Sequence, residues 1–215
     1  MRRATALLLC GLLAAPALAS IDSAHYGSMS EVYQHVVAGF DFFARGDTEQ
    51  LRMTRAVPPE VNEMPFTLWN NGIAHGFKVV YNAGGVAGIS IDDLYTVDVP
   101  VTINPETNGL LVTAFVEGAD RSVRLDNLKI TLPGFTMYDV GDSALAPAPD
   151  YMLLTTDLPL TGGFILSGTV TFSWTGALAP RTDQWFEVAP VVTPEPASGL
   201  LALAGAALSF LRPRR

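Results

Sequence analysis

An all-β fold, a β-sandwich or jelly-roll-like single domain, is what this sequence predicts for its central part. Three observations carry that expectation. Apolar and polar residues alternate in many short runs, the pattern of half-buried strands. Asn, Asp, Gly and Pro separate those runs at regular intervals, where turns need them. No heptad or solenoid period competes with the strand pattern.

Taken in order, residues 20–30 are polar and read as a loose lead-in, and residues 31–190 as the sandwich. Glu31 to Arg45 carries conflicting signals. Ser28 and Glu31 have capping-box spacing, and Val32, Val36, Phe40 and Phe43 form one helical stripe. Its β-branched and aromatic residues and Gly39 favour a strand, which is the assignment adopted. Gly46-Asp47 reads as a turn, Gln50 to Ala56 as a strand, and Pro58 to Pro65 as an acidic, proline-containing loop.

From Phe66 the alternation is regular. Phe66 to Trp69 leads into a turn at Asn70-Asn71-Gly72, whose residues tolerate positive φ. His75 to Tyr81 then places Phe77, Val79 and Tyr81 on one face. Further strands are expected at Val86 to Ile91, Leu94 to Val101, Leu110 to Glu117, Ser122 to Leu132 and Phe135 to Val140. Leu145 to Asp150 reads as a linker-like loop. Met152 to Thr155, Phe164 to Trp174 and Gln184 to Ala189 complete the set.

Both ends of the chain differ from this middle. Met1-Arg2-Arg3 is basic, Ala4 to Ala15 is apolar, and Ala17-Leu18-Ala19 has the small-x-small pattern of a secretory signal peptide over residues 1–19. Cleavage after Ala19 makes Ser20 the first mature residue. Cys10 sits inside the apolar stretch behind three leucines, which does not suit a lipoprotein signal. Residues 191–215 divide into a rigid Pro194-Glu195-Pro196 triplet, an uncharged run from Ala197 to Leu211, and a basic end at Arg212, Arg214 and Arg215. The run contains Gly199, Gly205 and many alanines, a poor soluble helix that a bilayer tolerates. The arginines stand where a stop-transfer segment needs them, so a transmembrane helix is expected at 197–211.

Those three parts in this order resemble a PEP-CTERM sorting signal. The resemblance implies that Pro194, Glu195 and Pro196 are recognised by an exosortase, a membrane cysteine-peptidase-like processing enzyme. It also implies that Ala197 to Leu211 holds the tag at the membrane and that Arg212, Arg214 and Arg215 stop transfer. Export through a Sec translocon and a signal peptidase follows from the amino-terminal segment, with transient residence in the inner membrane and then the cell surface or extracellular matrix. Within the middle, W-N-N-G at 69–72, F-K-V-V-Y-N at 77–82, L-D-N-L at 125–128 and F-I-L-S-G-T-V-T-F-S-W at 164–174 resemble the choice-of-anchor domains of bacterial surface proteins. That family has no agreed catalytic residues, so none is implied here.

Charge and chemistry bound the rest. Without residues 1–19 and 197–215, the chain keeps eight basic against twenty-one acidic groups, a formal charge near −13. Nucleic acid and anionic membrane surfaces are excluded as partners by that sign. The single cysteine leaves with residues 1–19, so the mature chain has no disulfide and must rely on its core. His25, His35 and His75 share no metal-ligand spacing, and no nucleophile elbow, phosphate loop or dinucleotide fingerprint occurs. The reading is therefore a non-enzyme. Asp92, Asp93, Asn104, Glu106 and Asn108 are oxygen donors in loops of the kind calcium uses, although D-x-D-x-D spacing is absent. Trp69, Trp174 and Trp185 are candidates for a sugar platform, with exopolysaccharide as ligand; core filling is the commoner use of such residues.

Overall fold

The computed structural model describes residues 20–38, 40–65, 69–134, 136–145, 149–177 and 183–194. Two antiparallel sheets face each other as a sandwich. One has seven strands in the order β1 (Ile21–Tyr26), β11 (Asp150–Thr156), β8 (Gly109–Val116), β13 (Gln184–Val191), β2 (Phe42–Asp47), β3 (Gln50–Arg55) and β4 (Glu60–Pro65). The other has six, in the order β10 (Thr136–Leu145), β9 (Arg121–Leu132), β12 (Gly163–Trp174), β5 (Ala74–Asn82), β6 (Val86–Ile91) and β7 (Tyr95–Pro100).

Period-two alternation builds the core between the sheets. Phe77, Val79 and Tyr81 of β5 are buried, as their spacing predicts, and meet Phe42, Phe164, Phe172 and Phe186. Each large side chain removed from water there contributes roughly 1.5–3 kcal/mol. The sheets are also laced along one margin: Arg55 Nη1 donates to the Pro100 carbonyl at 2.8 Å and Asn62 Nδ2 to the Asp98 carbonyl at 2.7 Å.

Turn chemistry is legible at single residues. Asp92 and Asp93 take φ of 52° and 57° and, with Leu94, close β6 onto β7 in a tight three-residue connection, the Leu94 amide donating to the Ile91 carbonyl at 3.1 Å. Asp47 Oδ1 accepts from the amides of Glu49 and Gln50, so the turn after β2 lies at Thr48-Glu49 and not at Gly46-Asp47, which are strand residues.

Four other expectations are corrected. The lead-in contains β1, an edge strand whose partner lies over a hundred residues away, so its exposed, polar sequence carries no local sign of pairing. Glu31 to Arg45 is not one strand. A helix, α1 (Met29–Val32), is capped by Ser28, whose side chain accepts from the Glu31 amide while Glu31 Oε2 accepts from the Gly27 amide. Val32, Val36 and Phe40 then pack with Leu111, Leu153 and Val191 on the outer face of the seven-stranded sheet. The helical stripe was a true sign of burial, and strand begins only at Phe42. The Pro58–Pro65 loop contains β4, an edge strand whose charges pair with β3 through Arg52–Glu63 at 2.6 Å and Arg55–Glu60 at 2.5 Å. Strand continues to Leu145 in β10, and Asp150 already opens β11, so the expected loop is shorter; residues 146–148 of it are outside the described set. Residues 66–68 are likewise outside it, and Trp69 is a buried core residue between strands.

Gly46 of β2 sits under the ring of Phe186, its register partner in β13, so that a Cβ at 46 would overlap the ring. Gly46→Ala should therefore lower stability by about 1–3 kcal/mol through overpacking, read as a reduced urea midpoint at unchanged m-value.

Candidate functional site at the carboxy-terminal exit

The last strand does not lie at a margin. β13 runs between β8 and β2 in the interior of the seven-stranded sheet, pairing from Gln184 to Val191 with β8 and from Trp185 to Val188 with β2. Past its end the chain stays bound. The Val37 amide donates to the Val192 carbonyl at 2.8 Å, and Asn108 N donates to the Val191 carbonyl at 3.2 Å. The Asn108 side chain then grips Thr193. Its Oδ1 accepts from Thr193 N at 2.8 Å and from Thr193 Oγ1 at 3.0 Å, and its Nδ2 donates to the Thr193 carbonyl at 3.3 Å. Thr193 is buried and Pro194 is exposed, so the chain passes from clamp to solvent in one residue.

The loop that carries Asn108 is itself pinned. Asp41 Oδ2 accepts from Asn104 N at 3.0 Å and from the buried Thr107 Oγ1 at 3.3 Å, while the amides of Thr156 and Leu160 donate to the carbonyls of Asn108 and Thr107. Two clefts of about 440 and 780 Å³ flank the exit, and Asn108, Asp157, Thr193 and Pro194 line both. Their charged lining groups are Asp22, Glu106 and Asp157, so the surroundings of the exit are acidic.

Of the sorting and cleavage residues expected from the sequence, Pro194 and Ser20 fall within the described set. Ser20 Oγ donates to Asp157 Oδ2 at 2.6 Å, immediately before β1. Ala17, Ala19, Glu195, Pro196, the run 197–211 and Arg212, Arg214 and Arg215 lie outside the described residues. Among the described residues no helix is long and apolar enough to cross a membrane.

The calcium donors are not brought together. Asp92 and Asp93 follow β6, whereas Asn104, Glu106 and Asn108 follow β7 beyond Val101, whose amide bonds Gly85 at the opposite end of the β6–β7 pair. A six-residue strand, roughly 20 Å, separates the two sets. Several donors are also engaged locally: Asp92 with His75 Nδ1 at 2.7 Å and the Gly76 amide at 2.8 Å, Asp93 with Lys78 at 2.7 Å, Asn104 Oδ1 with the Glu106 amide, and Asn108 with Thr193. Among the described residues no three of His, Cys, Asp and Glu converge as a metal set.

The histidines are dispersed: His25 beside Asp150, His35 against Tyr26, and His75 buried beside Asp92 and Trp69. Among the tryptophans, Trp69 is in the core against Phe172, and Trp174 is partly buried against that core. Trp185 stands on the outer face with Phe115 stacked on it at 5.0 Å and the Arg45 guanidinium 4.4 Å from its ring centre. Trp69 is thereby removed as a sugar platform, and Trp185 already has partners for its ring.

One titrating group on β13 escaped sequence reasoning. Glu187 faces outward between Arg45 of β2 and Thr113 of β8, and burial pushes its carboxyl up to about 7 against the opposing pull of Arg45. Burial, then Glu187, then Tyr33 raise the Tyr151 phenol above its ordinary value. The only sequence sign of this was a lone acid in a run of apolar residues.

No protein-family description matches this chain, and no curated protein matches it either.

Two outcomes follow from this geometry. Asn108→Ala strips the partners from the buried Thr193 amide and hydroxyl and should cost about 1–3 kcal/mol in denaturant unfolding. Glu187 binds its proton more tightly in the fold than in the open chain, so its contribution is complete below about pH 4.5 and is lost as pH rises to about 7. Glu187→Gln should flatten that slope and raise stability at pH 8 by about 1–3 kcal/mol, measured as urea midpoints across pH.

Proposed function

We propose that this protein is a non-catalytic, exported surface or matrix protein, a jelly-roll-like sandwich delivered as cargo through a PEP-CTERM sorting signal. In this reading residues 1–19 are cut off by signal peptidase after Sec-dependent export. Ala197 to Leu211 then spans the inner membrane, with Arg212, Arg214 and Arg215 on the cytoplasmic side. An exosortase-type enzyme recognises Pro194, Glu195 and Pro196 and releases or re-attaches the domain at the cell surface.

The observation that supports it is where the sandwich makes its first and last described contacts. Strand β1 starts at Ile21, one residue after the expected signal-peptide cut, and the last clamp is Thr193, one residue before the exposed Pro194. The first residue of the Pro-Glu-Pro triplet is thus exposed directly after the last clamp. The chain reaches it from an interior strand, held on both sides by β8 and β2.

Intact mass and location in the native host, with and without Glu195→Ala, test the reading. The wild type should lose residues beyond the tag and leave the inner membrane, while Glu195→Ala should keep its full tail and stay. Tails retained by both forms in the inner membrane would refute it.

A further inference from the structure

Two open sheets have four edge strands, and this sandwich treats them unequally. β4 and β7 close one margin together. The Asp98 and Pro100 carbonyls of β7 accept from the side chains of Asn62 and Arg55, and Glu60 and Glu63 of β4 are paired with arginines of β3. β10 is broken up, its register on β9 shifting three times between Asp139 and Leu145. β1 has none of these protections. Its six residues keep an unbroken register with β11, include no proline, glycine or lysine, and are exposed from Asp22 to His25. Alternate residues of such a strand turn their N–H and C=O groups away from its partner.

The charge beside that edge has one sign. No lysine or arginine occurs in β1, β11, β8, β13 or β10, or anywhere in residues 20–44. The first base across the sheet is Arg45 in β2, the fifth strand in. Asp22 stands on β1 itself, Asp157 accepts from Ser20 at its start, and Glu31 accepts from the Gly27 amide at its end. Asp150 faces His25 at 3.2 Å. An amino terminus at Ser20 adds one ammonium beside Asp157 and leaves Asp22 and Glu31 unmatched. On the outer face a cleft of about 440 Å³ adjoins the strand, and its titratable lining groups are Asp22, Tyr26, His35 and Asp157.

We propose that β1 is a docking edge for an extended basic peptide of a partner protein, which joins the seven-stranded sheet as an eighth strand. The open ladder groups hold any extended backbone. Alternate side chains of the added strand fall beside Asp22 and the acidic cleft, which selects Lys or Arg. Charge decides against a second copy of this chain, because it would bring the same acids to the junction and a second domain charge near −13. The inference uses the sandwich alone and does not depend on how the tail is processed.

Fluorescence anisotropy and hydrogen exchange on the purified exported protein test it, with an end-capped octapeptide of alternating lysine and threonine as probe. The peptide should bind, weaken as sodium chloride is added, and slow exchange of amides within Ile21–Tyr26 but not in β4, β7 or β10. Methylating the peptide's backbone nitrogens keeps its charge and removes its ladder donors, and should weaken binding by roughly tenfold or more; so should exchanging its lysines for glutamates. Asp22→Lys should lose a similar factor at an unchanged melting temperature, which separates lost binding from lost folding. Failure of the lysine peptide to bind, equal binding of the methylated or glutamate peptide, protection at another edge, undiminished binding by Asp22→Lys, or a free protein that dimerises through β1 would each overturn the proposal.

Discussion

The interior position of β13 is the constraint on which the rest of this molecule depends. A strand that ends a domain is free to sit at a margin, where only one neighbour holds it. Here it is hydrogen-bonded on both sides, to β8 and to β2. Its inward residues Phe186 and Val188 are fully buried, and its outward residues Val191 and Glu187 meet the α1 segment and Arg45. Losing β13 would open the seven-stranded sheet in its middle, so the residues that attach the tail are also residues the core cannot do without. Asn108 extends that hold past the strand, converting an Asn in a turn-rich loop into the last fixed point before Pro194.

Charges are matched locally on both outer faces. The seven-stranded sheet carries Arg45, Arg52, Glu63 and Glu187 in adjacent register positions, with Arg45 also over Trp185, so its charges are neutralised within the sheet. On the six-stranded sheet Lys78 pairs with Asp93 at 2.7 Å and Lys129 stands in register with Asp139. Around the exit the lining charges are acidic.

Strands with period-two burial were legible because their signal is local. Phe77, Val79 and Tyr81 announce β5 without reference to any partner, and Asp92-Asp93 announces its hairpin. The edges were not. β1 and β4 are polar because a marginal strand is half solvated, and a polar strand reads like a loop until its partner is known. Residues 27–41 misled for another reason: they cover the outside of a sheet, so they are apolar without being strand. The Asn108–Thr193 clamp spans 85 positions, and β1 pairs with a strand over a hundred residues away; both depend on topology, and no local pattern encodes them. Pro194-Glu195-Pro196 was legible as a motif, but only the fold shows that its first proline is exposed.

The central claim, that the tail departs from a strand as stable as the core, is tested most directly by native-state hydrogen exchange. The amides of Val188, Val191 and Thr193 should exchange only through global unfolding, with the same free energy and denaturant dependence as Val79 and Leu125 in the opposite sheet. Exchange of Val191 and Thr193 through local fraying, insensitive to denaturant, would contradict it.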